Sequence, residues 1–449
     1  MTPPPTFTDI PTPIADQAIA DRLAPYGRFG VHLGLDRITT LLGRLGNPHQ
    51  RVPIVHVAGT NGKGSVCAYL SSVLTQAGYR VGRYTSPHLV SWCERIGINE
   101  QMIAPEALLA ALDAVEAAIA PDTETPTQFE IFTAAAWVYF AEQQVDLAVI
   151  EVGLGGRLDA TNVVDAPLVS VITSLSREHW QRLGPTLADI AREKAGVLKA
   201  GRPAVVGPLP PKAEAVVVAR ATALGCPLLR PQVTDLEDFS PSIALPFLGA
   251  HQHLNAAIAL AALRSLQAQG WRISAEAIGQ GLASARWPGR LQWLTWRDRA
   301  DVSHRLLLDG AHNPDAARAL RAYVDRDLLP TQATQQQTRI TWLMGMLSTK
   351  DHADIFVELL RPGDHLHLVP VPDHLSADPQ DLAAIARSVC PDLATCAQHP
   401  DLDSGLAAAT QDPQRVTIFC GSLYLLGYFF QTQAGRLCSE TTPNAAPTI

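Results

Sequence analysis

Lysine is scarce in this chain of 449 residues, which has only five lysines while arginine supplies most of its 35 basic residues. Arginine can replace lysine in most surface roles but remains charged, whereas lysine changes its protonation state readily. Each lysine within a motif is therefore a candidate for chemistry that arginine cannot perform. The five are Lys63, Lys194, Lys199, Lys212 and Lys350.

Other absences exclude whole classes of protein. The sequence contains no run of about 18 apolar residues, the length that a helix needs to cross a bilayer. The N-terminal residues also lack the basic and apolar regions of a signal peptide. The seven cysteines form no C-x-x-C pair, which favours reduced thiols in a cytoplasmic protein over a disulfide framework or a zinc site. With a net charge of −8 and no basic stripe, neither nucleic acid nor a membrane is an expected partner.

One glycine-rich stretch stands out among the features that are present. A β-branched run at 52–58 leads into Gly59-Thr60-Asn61-Gly62-Lys63-Gly64-Ser65, and apolar residues at helical spacing follow. A strand, loop and helix in this order aim backbone N–H groups at one point, which suits a phosphate. Lys63 would reach the terminal phosphates and Ser65 would ligate Mg²⁺. The loop is shorter than the usual P-loop, and an ordinary glycine-rich turn is the alternative.

Two ionisable residues stand where burial is expected. The apolar run 147–152 predicts a strand buried on both faces of a parallel sheet, and Glu151 interrupts it near its C-terminal end. Such a carboxylate is costly unless it is paired or bound to a metal. A neighbouring arginine could also satisfy it. Lys194 falls on the apolar face of a helix predicted over 186–199, so it is expected to point inward, either as a snorkelling stem or as a functional group with altered charge. His179 alone is more typical of a loop histidine than of a ligand.

Alternation of strands and helices runs through most of the chain and restarts after about residue 300. The pattern predicts an α/β protein with a P-loop-containing, parallel-sheet ATPase domain and a smaller Rossmann-like C-terminal α/β domain. We predict an ATP-binding domain over 1–294, a linker at 295–302, the C-terminal domain over 303–435 and a disordered tail at 436–449.

Six motifs occur in order along the chain. They are the loop 59–65, Ser86-Pro87-His88, Glu151-Val152-Gly153-Leu154-Gly155-Gly156-Arg157-Leu158-Asp159-Ala160-Thr161-Asn162, Arg192-Glu193-Lys194-Ala195-Gly196, Asp309-Gly310-Ala311-His312-Asn313-Pro314 and Gly421-Ser422-Leu423-Tyr424. Together they resemble the folylpolyglutamate synthase/dihydrofolate synthase family of the Mur-ligase superfamily, from about Asp36 to Gly427. The resemblance implies that ATP phosphorylates a carboxylate of a pterin-bearing substrate, and that the amine of glutamate attacks the acyl phosphate.

The resemblance also implies ATP and metal sites. One Mg²⁺ would lie on Ser65, Ser86 and Glu151, and a second on Glu151, His179 and Lys194. In the family the matching lysine is carbamylated by CO₂, which turns a cation into an oxygen ligand. The residues implied to be catalytic are Lys63, Glu151, His179 and Lys194, and those implied to bind ATP are Gly59, Thr60, Asn61, Gly62, Lys63, Gly64, Ser65, Asn255, Arg290 and Asp309.

Substrate sites follow from the same resemblance. It implies pterin contacts from Thr127, Phe129, Asp159 and Ala160, and glutamate contacts from Arg95, His312 and Ser422. The intact stretch 157–162 favours the bifunctional type, which accepts dihydropteroate and tetrahydrofolate with ATP and L-glutamate. A folylpolyglutamate synthase without the first activity is the alternative, with Thr127 and Phe129 then only starting a helix and filling the core. Thr349 replaces the aspartate usual before the lysine of loop 348–351, which leaves the role of that loop open.

Two rival classes remain at this stage. A cell-wall Mur ligase acting on a UDP-sugar peptide would need a further N-terminal domain, and the chain before residue 59 is short for one. A P-loop switch or regulator without ligase activity would have no need of a second metal site. The family is mostly monomeric, and a monomer is expected here.

Overall fold

The computed structural model describes residues 13–27, 34–121, 124–240, 243–329 and 340–438. The chain divides into two compact units. The first comprises residues up to Leu245 together with Gln252–Arg286, and the second comprises Pro246–His251 together with the residues from Trp287 onward. Among the described residues, no helix is both long enough and apolar enough to cross a membrane.

The first unit is built on an eight-stranded sheet. In chain order its strands are β1 (Ile54–Ala58), β2 (Val81–Tyr84), β3 (Ile96–Ile98), β4 (Gln101–Met102), β5 (Leu147–Glu151), β6 (Val169–Ile172), β7 (Ala204–Val206) and β8 (Leu228–Leu229). Their spatial order is β4-β3-β2-β5-β1-β6-β7-β8. The six strands from β2 to β8 in that order are parallel, while β3 and β4 form an antiparallel edge.

Burial explains why the central strands read as continuous apolar runs. Every residue of β1 and of β5 is buried, as expected for parallel strands covered by helices on both faces. The α-helices described around this sheet are α1 (Pro13–Leu23), α2 (Asp36–Arg44), α3 (Lys63–Gln76), α4 (Pro105–Ala117), α5 (Gln128–Glu142), α6 (Trp180–Leu183), α7 (Leu187–Lys194), α8 (Pro211–Ala223), α9 (Val233–Phe239), α10 (Ala250–Ala268) and α11 (Ala275–Ser284).

Helix α3, which follows the glycine-rich loop, is buried over most of its length. Its residues from Ser65 to Leu74 are all buried, because it lies between the sheet and α11. Gly281 of α11 sits against the backbone of Val73, so that any side chain at Gly281 would overlap it. This close packing fixes the helix whose first turn follows the glycine-rich loop.

The second unit contains a seven-stranded sheet. Its strands are β9 (Gln292–Arg297), β10 (Ser303–Leu308), β11 (Ile340–Met344), β12 (His365–Leu368), β13 (Thr395–Gln398), β14 (Val416–Cys420) and β15 (Leu437–Cys438), in the spatial order β13-β12-β11-β14-β10-β9-β15. The strands from β13 to β10 are parallel, and β9 runs antiparallel to both of its neighbours. The helices are α12 (Pro314–Tyr323), α13 (His352–Leu359), α14 (Pro379–Val389), α15 (Leu402–Ala409) and α16 (Leu423–Gln433).

Two α/β units with predominantly parallel sheets confirm the predicted fold class. The boundaries differ in detail from the predicted ones. Residues 295–302, predicted as a linker, form the end of β9 and the turn into β10. In the predicted tail 436–449, Leu437–Cys438 form β15 on the sheet edge, and 439–449 lie outside the described residues. An edge strand of two residues carries no periodicity that the sequence could reveal.

Candidate active site

The glycine-rich loop joins β1 to α3, as its sequence predicted. Gly62 caps α3 with a φ of 86°, a left-handed conformation that glycine adopts without steric cost. Lys63 is the first residue of the helix, and its ammonium donates to the carbonyl oxygens of Gly59 at 3.1 Å and Thr60 at 3.0 Å. The lysine therefore folds back over the loop, where backbone N–H groups at a helix N-terminus favour an anion.

A second loop, the one after β6, braces the first. The N–H of Thr60 donates to the carbonyl of Ser174 at 2.7 Å, and the hydroxyl of Thr173 donates to the carbonyl of Asn61 at 2.7 Å. The N–H of Ser176 donates to the hydroxyl of Thr60 at 3.1 Å. Thr173, Ser174 and Ser176 were not among the predicted site residues. Their signal in the sequence was a group of small hydroxyl residues directly after the apolar residues that form β6.

Helix α10 contributes two buried amides to the same region. Gln252 donates through Nε2 to the hydroxyl oxygen of Ser65 at 3.2 Å, and Asn255 donates to Oε1 of Gln252 at 2.9 Å. Asn255 also lies directly against Gly62, where a side chain would collide with it. Asn255 was predicted as an ATP contact, whereas Gln252 was missed. The three-residue spacing that places both on one helix face was the available signal.

Glu151 stands at the carboxyl end of β5, beside Val57 of β1, and only 4% of its surface is exposed. The backbone N–H of Ser86, which follows β2, donates to its Oε2 at 3.2 Å. Three adjacent parallel strands thus bring these residues to one edge of the sheet: Glu151 ends β5, Ser86 follows β2, and Ser65 lies in the first turn of α3, which follows β1. Open α/β sheets bind ligands at this edge. Hydroxyl and carboxylate oxygens are hard donors that suit Mg²⁺.

Lys194 points inward, as its helical position predicted. It is 5% exposed, and its Nζ donates to the carbonyl of Gly59 at 2.7 Å. Burial and the nearby charge of Lys63 lower the pKa of Lys194 to about 7, against the opposing influence of Glu178 and Asp159. An amine with that pKa is substantially neutral near pH 7, unlike an ordinary lysine.

His179 differs from the other predicted metal ligands. It is exposed and caps the short α6 with a φ of 52°. In the described part of the chain, no three side chains among histidine, cysteine, aspartate and glutamate are grouped to hold a metal ion. A second metal at Glu151 and His179 would therefore depend on additional oxygen atoms, such as those of a phosphate or of a modified Lys194.

The predicted pterin residues meet around the loop that follows β5. The ring of Phe129 packs against Gly153 so closely that a side chain there would overlap it, and Phe129 and Ala160 belong to one apolar cluster. Thr127 caps α5, its hydroxyl accepting from the N–H of Glu130 at 3.2 Å. This capping role agrees with the alternative given above, in which Thr127 only starts a helix.

Asp159 lies beneath this loop and is 5% exposed. Its carboxylate accepts from Leu154 N at 2.8 Å, from Thr161 N at 3.0 Å and from the Thr161 hydroxyl at 2.6 Å. Burial raises its pKa, while these hydrogen bonds and one from Gly153 act in the opposite direction. The carboxylate therefore holds the loop in place, and a pterin that bonded to it would exchange with one of these N–H groups.

The residues predicted to bind the substrate glutamate are divided between the two units. In the first unit, the Arg95 guanidinium lies over the ring of Trp92 at 4.5 Å, and its Nε donates to Nδ1 of His88 at 2.9 Å. In the second unit, Nδ1 of His312 lies 2.8 Å from the carbonyl oxygen of Gly310. Ser422 is buried and caps α16, accepting from the N–H of Leu425 at 3.4 Å.

Loops at the carboxyl edge of the second sheet carry the remaining predicted residues. Asp309 is 8% exposed and accepts from the N–H groups of Leu291 at 2.9 Å and Ala311 at 2.8 Å. The side chain of Arg290 lies against Gly310. The N–H of Gly421 donates to Ala311 at 3.0 Å, which joins the loops after β10 and β14.

Comparison with known proteins places this arrangement in a class. The family described as Mur ligase middle domain matches residues 57–206, and that described as dihydrofolate synthetase, C-terminal domain matches residues 292–432. A folylpolyglutamate synthase of Lacticaseibacillus casei is 35% identical, covering 89% of this chain and 94% of that protein. The chain is thus an ATP-dependent ligase of the Mur type.

Solved structures agree with this assignment. The Escherichia coli FolC structure in complex with DHPP and ADP superposes with a TM-score of 0.79 at 32% identity, covering 94% of this chain and 98% of that one. A bifunctional folylpolyglutamate synthase/dihydrofolate synthase with Mn, AMPPNP and L-glutamate bound gives 0.78 at 32% identity, covering 92% and 97%. The chain belongs to the folylpolyglutamate synthase/dihydrofolate synthase family. This excludes the two rival classes, the UDP-sugar peptide ligase and the switch without ligase activity.

Proposed function

We propose that this ligase adds L-glutamate to dihydropteroate, forming dihydrofolate, and to the γ-carboxyl of tetrahydrofolate, forming folylpolyglutamate. The observation that carries the bifunctional assignment is the loop after β5, whose backbone is organised around buried Asp159 beside the ring of Phe129. A rigid acidic loop next to an aromatic ring offers both a hydrogen-bonding edge and a stacking face to a pterin. Bound DHPP in the E. coli relative supports a substrate of this kind.

The chain's own residues account for the handling of ATP. Lys63 and the N–H groups at the start of α3 would hold the terminal phosphates, and Asn255 borders the loop at Gly62. In the second unit, Arg290 and Asp309 are proposed ATP contacts. Phosphoryl transfer to a carboxylate brings several negative charges together, so fixed positive groups lower its barrier by electrostatic stabilisation.

The oxygen donors at the carboxyl edge fit a divalent cation. Ser65, Ser86 and Glu151 would hold one Mg²⁺, and Glu151, His179 and Lys194 a second. When bound, the cations neutralise charge on the phosphates and on the developing acyl phosphate. Manganese and AMPPNP in a solved relative support the use of a divalent cation with ATP.

The proposed second metal site includes a covalent modification of the chain, the carbamylation of Lys194 by CO₂. A lysine amine must be neutral to take up CO₂, and the buried amine of Lys194 has a pKa lowered to about 7 by burial and by Lys63. Incubation with ¹³C-bicarbonate is expected to give a carbamate signal in the ¹³C NMR spectrum that is missing from Lys194→Arg and retained in Lys212→Arg. A signal that persists in Lys194→Arg would refute the assignment.

Both activities are tested by ADP release with Mg-ATP and L-glutamate, using dihydropteroate and tetrahydrofolate separately as acceptors. Turnover with both acceptors is the expected result. Turnover with tetrahydrofolate alone would leave a folylpolyglutamate synthase and return Thr127, Phe129 and Asp159 to structural roles. Sedimentation of the active protein is expected to show a monomer, in which Arg95, His312 and Ser422 are the proposed contacts for the incoming glutamate.

A further inference from the structure

A buried chain of hydrogen bonds links strand β1 to the loop that follows β5. Nε2 of His56 lies 2.8 Å from the hydroxyl oxygen of Thr161, and that hydroxyl donates to Oδ1 of Asp159 at 2.6 Å. His56, Thr161 and Asp159 are 1%, 0% and 5% exposed. The ring of His56 belongs to the strand that leads into the glycine-rich loop, yet none of the roles assigned above uses it.

The protons in this chain are determined by its chemistry. Asp159 accepts from the Thr161 hydroxyl, so the single hydroxyl proton is committed and the oxygen can only accept from His56. Nε2 of His56 must therefore carry a proton. Complete burial lowers the pKa of His56 to about 3, with a further contribution from Lys199, so the imidazole is neutral and a single tautomer satisfies the chain.

The two oxygens of Asp159 have different surroundings as a result. Oδ1 accepts both the N–H and the hydroxyl of Thr161. Oδ2 accepts the N–H of Leu154 at 2.8 Å, and the preceding residue, Gly153, packs against the ring of Phe129. Oδ1 is held by two donors of Thr161, one of them the hydroxyl fixed by His56, so Oδ2 is the oxygen better placed to exchange a loop N–H for a ligand N–H.

We propose that His56 is a positioning residue for acceptor recognition: acting through Thr161, it holds the Asp159 carboxylate so that Oδ2 faces a ring bearing N–H donors. This inference rests on the proposed dihydropteroate activity. Without His56 the Thr161 oxygen would be left buried with an unfilled acceptor, and its hydroxyl could turn away from Asp159. Loss of His56 would then weaken the binding of the acceptor's ring by Asp159, although His56 itself does not touch that ring. ATP binding would be preserved.

Two matched pairs of variants test the chain. Thr161→Val removes the hydroxyl at nearly constant volume, and Thr161→Ser retains it. His56→Leu removes the donor, and His56→Gln places an amide N–H near the position of Nε2. We expect the Val and Leu variants to raise KM for dihydropteroate about 10-fold, by analogy with the lower end of the range for groups that orient metal ligands. The Ser and Gln variants should stay within about 3-fold of the parent protein.

The accompanying readouts separate positioning from loss of structure. For the Val and Leu variants, the affinity for ADP and kcat with dihydropteroate should each change by less than about 3-fold. The proposal is overturned if Thr161→Val leaves KM for dihydropteroate unchanged, or if ADP affinity and both acceptor activities fall together. Parent protein that turns over tetrahydrofolate but not dihydropteroate would refute the proposed bifunctional activity and the inference with it.

A measurement on the parent protein covers the case in which Thr161→Val or His56→Leu fails to fold. With ¹⁵N-labelled histidine, the Nε2 proton of His56 is expected to be visible and slow to exchange with solvent, because it is buried and hydrogen-bonded; His56→Gln identifies the signal. Adding dihydropteroate should shift it, and adding ADP alone should not. A signal that exchanges rapidly, or that is indifferent to dihydropteroate, would contradict the proposed coupling.

Discussion

Lys63 and Lys194 donate to the same atom, the carbonyl oxygen of Gly59, from distances of 3.1 and 2.7 Å. Two ammonium groups this close repel each other, and Lys194 is the more deeply buried of the two. The repulsion adds to desolvation in lowering the pKa of Lys194 to about 7. The proposed carbamylation of Lys194 would depend on this lowered pKa, because only a neutral amine reacts with CO₂ and arginine at either position would stay charged.

Replacement of Lys194 should therefore impair chemistry more than nucleotide binding. We expect Lys194→Met to lower kcat at least about 100-fold, the usual cost of removing one electrostatic contributor to the transition state, and to change ADP affinity only slightly. Lys194→Arg should be equally inactive because arginine stays charged and cannot form a carbamate. Steady-state ADP release and calorimetric titration with ADP measure the two effects.

The control for this experiment is Lys212→Met, because Lys212 is exposed on α8 and has no place in the proposed site. Its kinetics should match those of the parent protein. An active Lys194→Arg variant would show that a fixed cation suffices, and the carbamate would lose its role.

Gly62 and Gly78 provide a matched pair for the glycine-rich loop. Both have positive φ, 86° and 89°, but a side chain at Gly62 would collide with Asn255, whereas nothing lies within 4 Å of one at Gly78. Gly78→Ala should cost only the strain of placing an L-residue in the left-handed region, about 1–2 kcal/mol. Gly62→Ala should cost more stability and should also weaken ADP binding at least about 10-fold, because the loop must move. Equal losses of ADP affinity in the two variants would contradict this account of the loop.

Gln252 should matter for the metal–nucleotide complex although it was not predicted to. Gln252→Met keeps the length of the side chain but removes the donor to Ser65 and the acceptor for Asn255. We expect the half-saturating concentrations of Mg²⁺ and ATP to rise about 10-fold, as for other residues that orient metal ligands. Gln267→Met, an exposed position on the same helix, is the control and should show no such rise. An unchanged Mg²⁺ dependence in Gln252→Met would mean that Ser65 needs no orientation by α10.

The comparison of sequence and structure shows which features local patterns can reveal. The loop 59–65 and buried Glu151 were predictable because each follows a continuous apolar run that must be a buried strand. Lys194 was predictable as an inward residue from its helical face. The binding roles of His179, Arg95 and the residues of the second unit stay predictions, because they depend on ligands rather than on packing.

Other contacts could not have been read from the sequence. Gln252 reaches Ser65 across 187 positions, and His56 reaches Thr161 across 105, so only the packing of elements far apart in the chain brings each pair together. His56 in particular resembles a residue placed by chance within a β-branched strand. A role for His56 can be inferred only from the structure, which places β1 next to the loop after β5.

A histidine pair in the second unit predicts how stability depends on pH. His367 of β12 is 8% exposed and its Nδ1 lies 3.0 Å from Nε2 of His399. Burial lowers the pKa of His367 to about 4, helped by the charges of His399, His365 and Arg415. Between pH 6.5 and 4 the unfolded chain therefore binds a proton that the folded protein does not.

Because the unfolded state takes up more protons between pH 6.5 and 4, the free energy of unfolding falls as the pH is lowered. For this histidine the fall is at most about 1.4 kcal/mol per pH unit. His367→Gln should make the fall shallower, whereas His253→Gln, at an exposed position on α10, should leave it unchanged. Urea unfolding at several pH values, followed by circular dichroism, measures the slopes. Identical slopes for the parent protein and His367→Gln would show that the neutral imidazole does not limit acid stability.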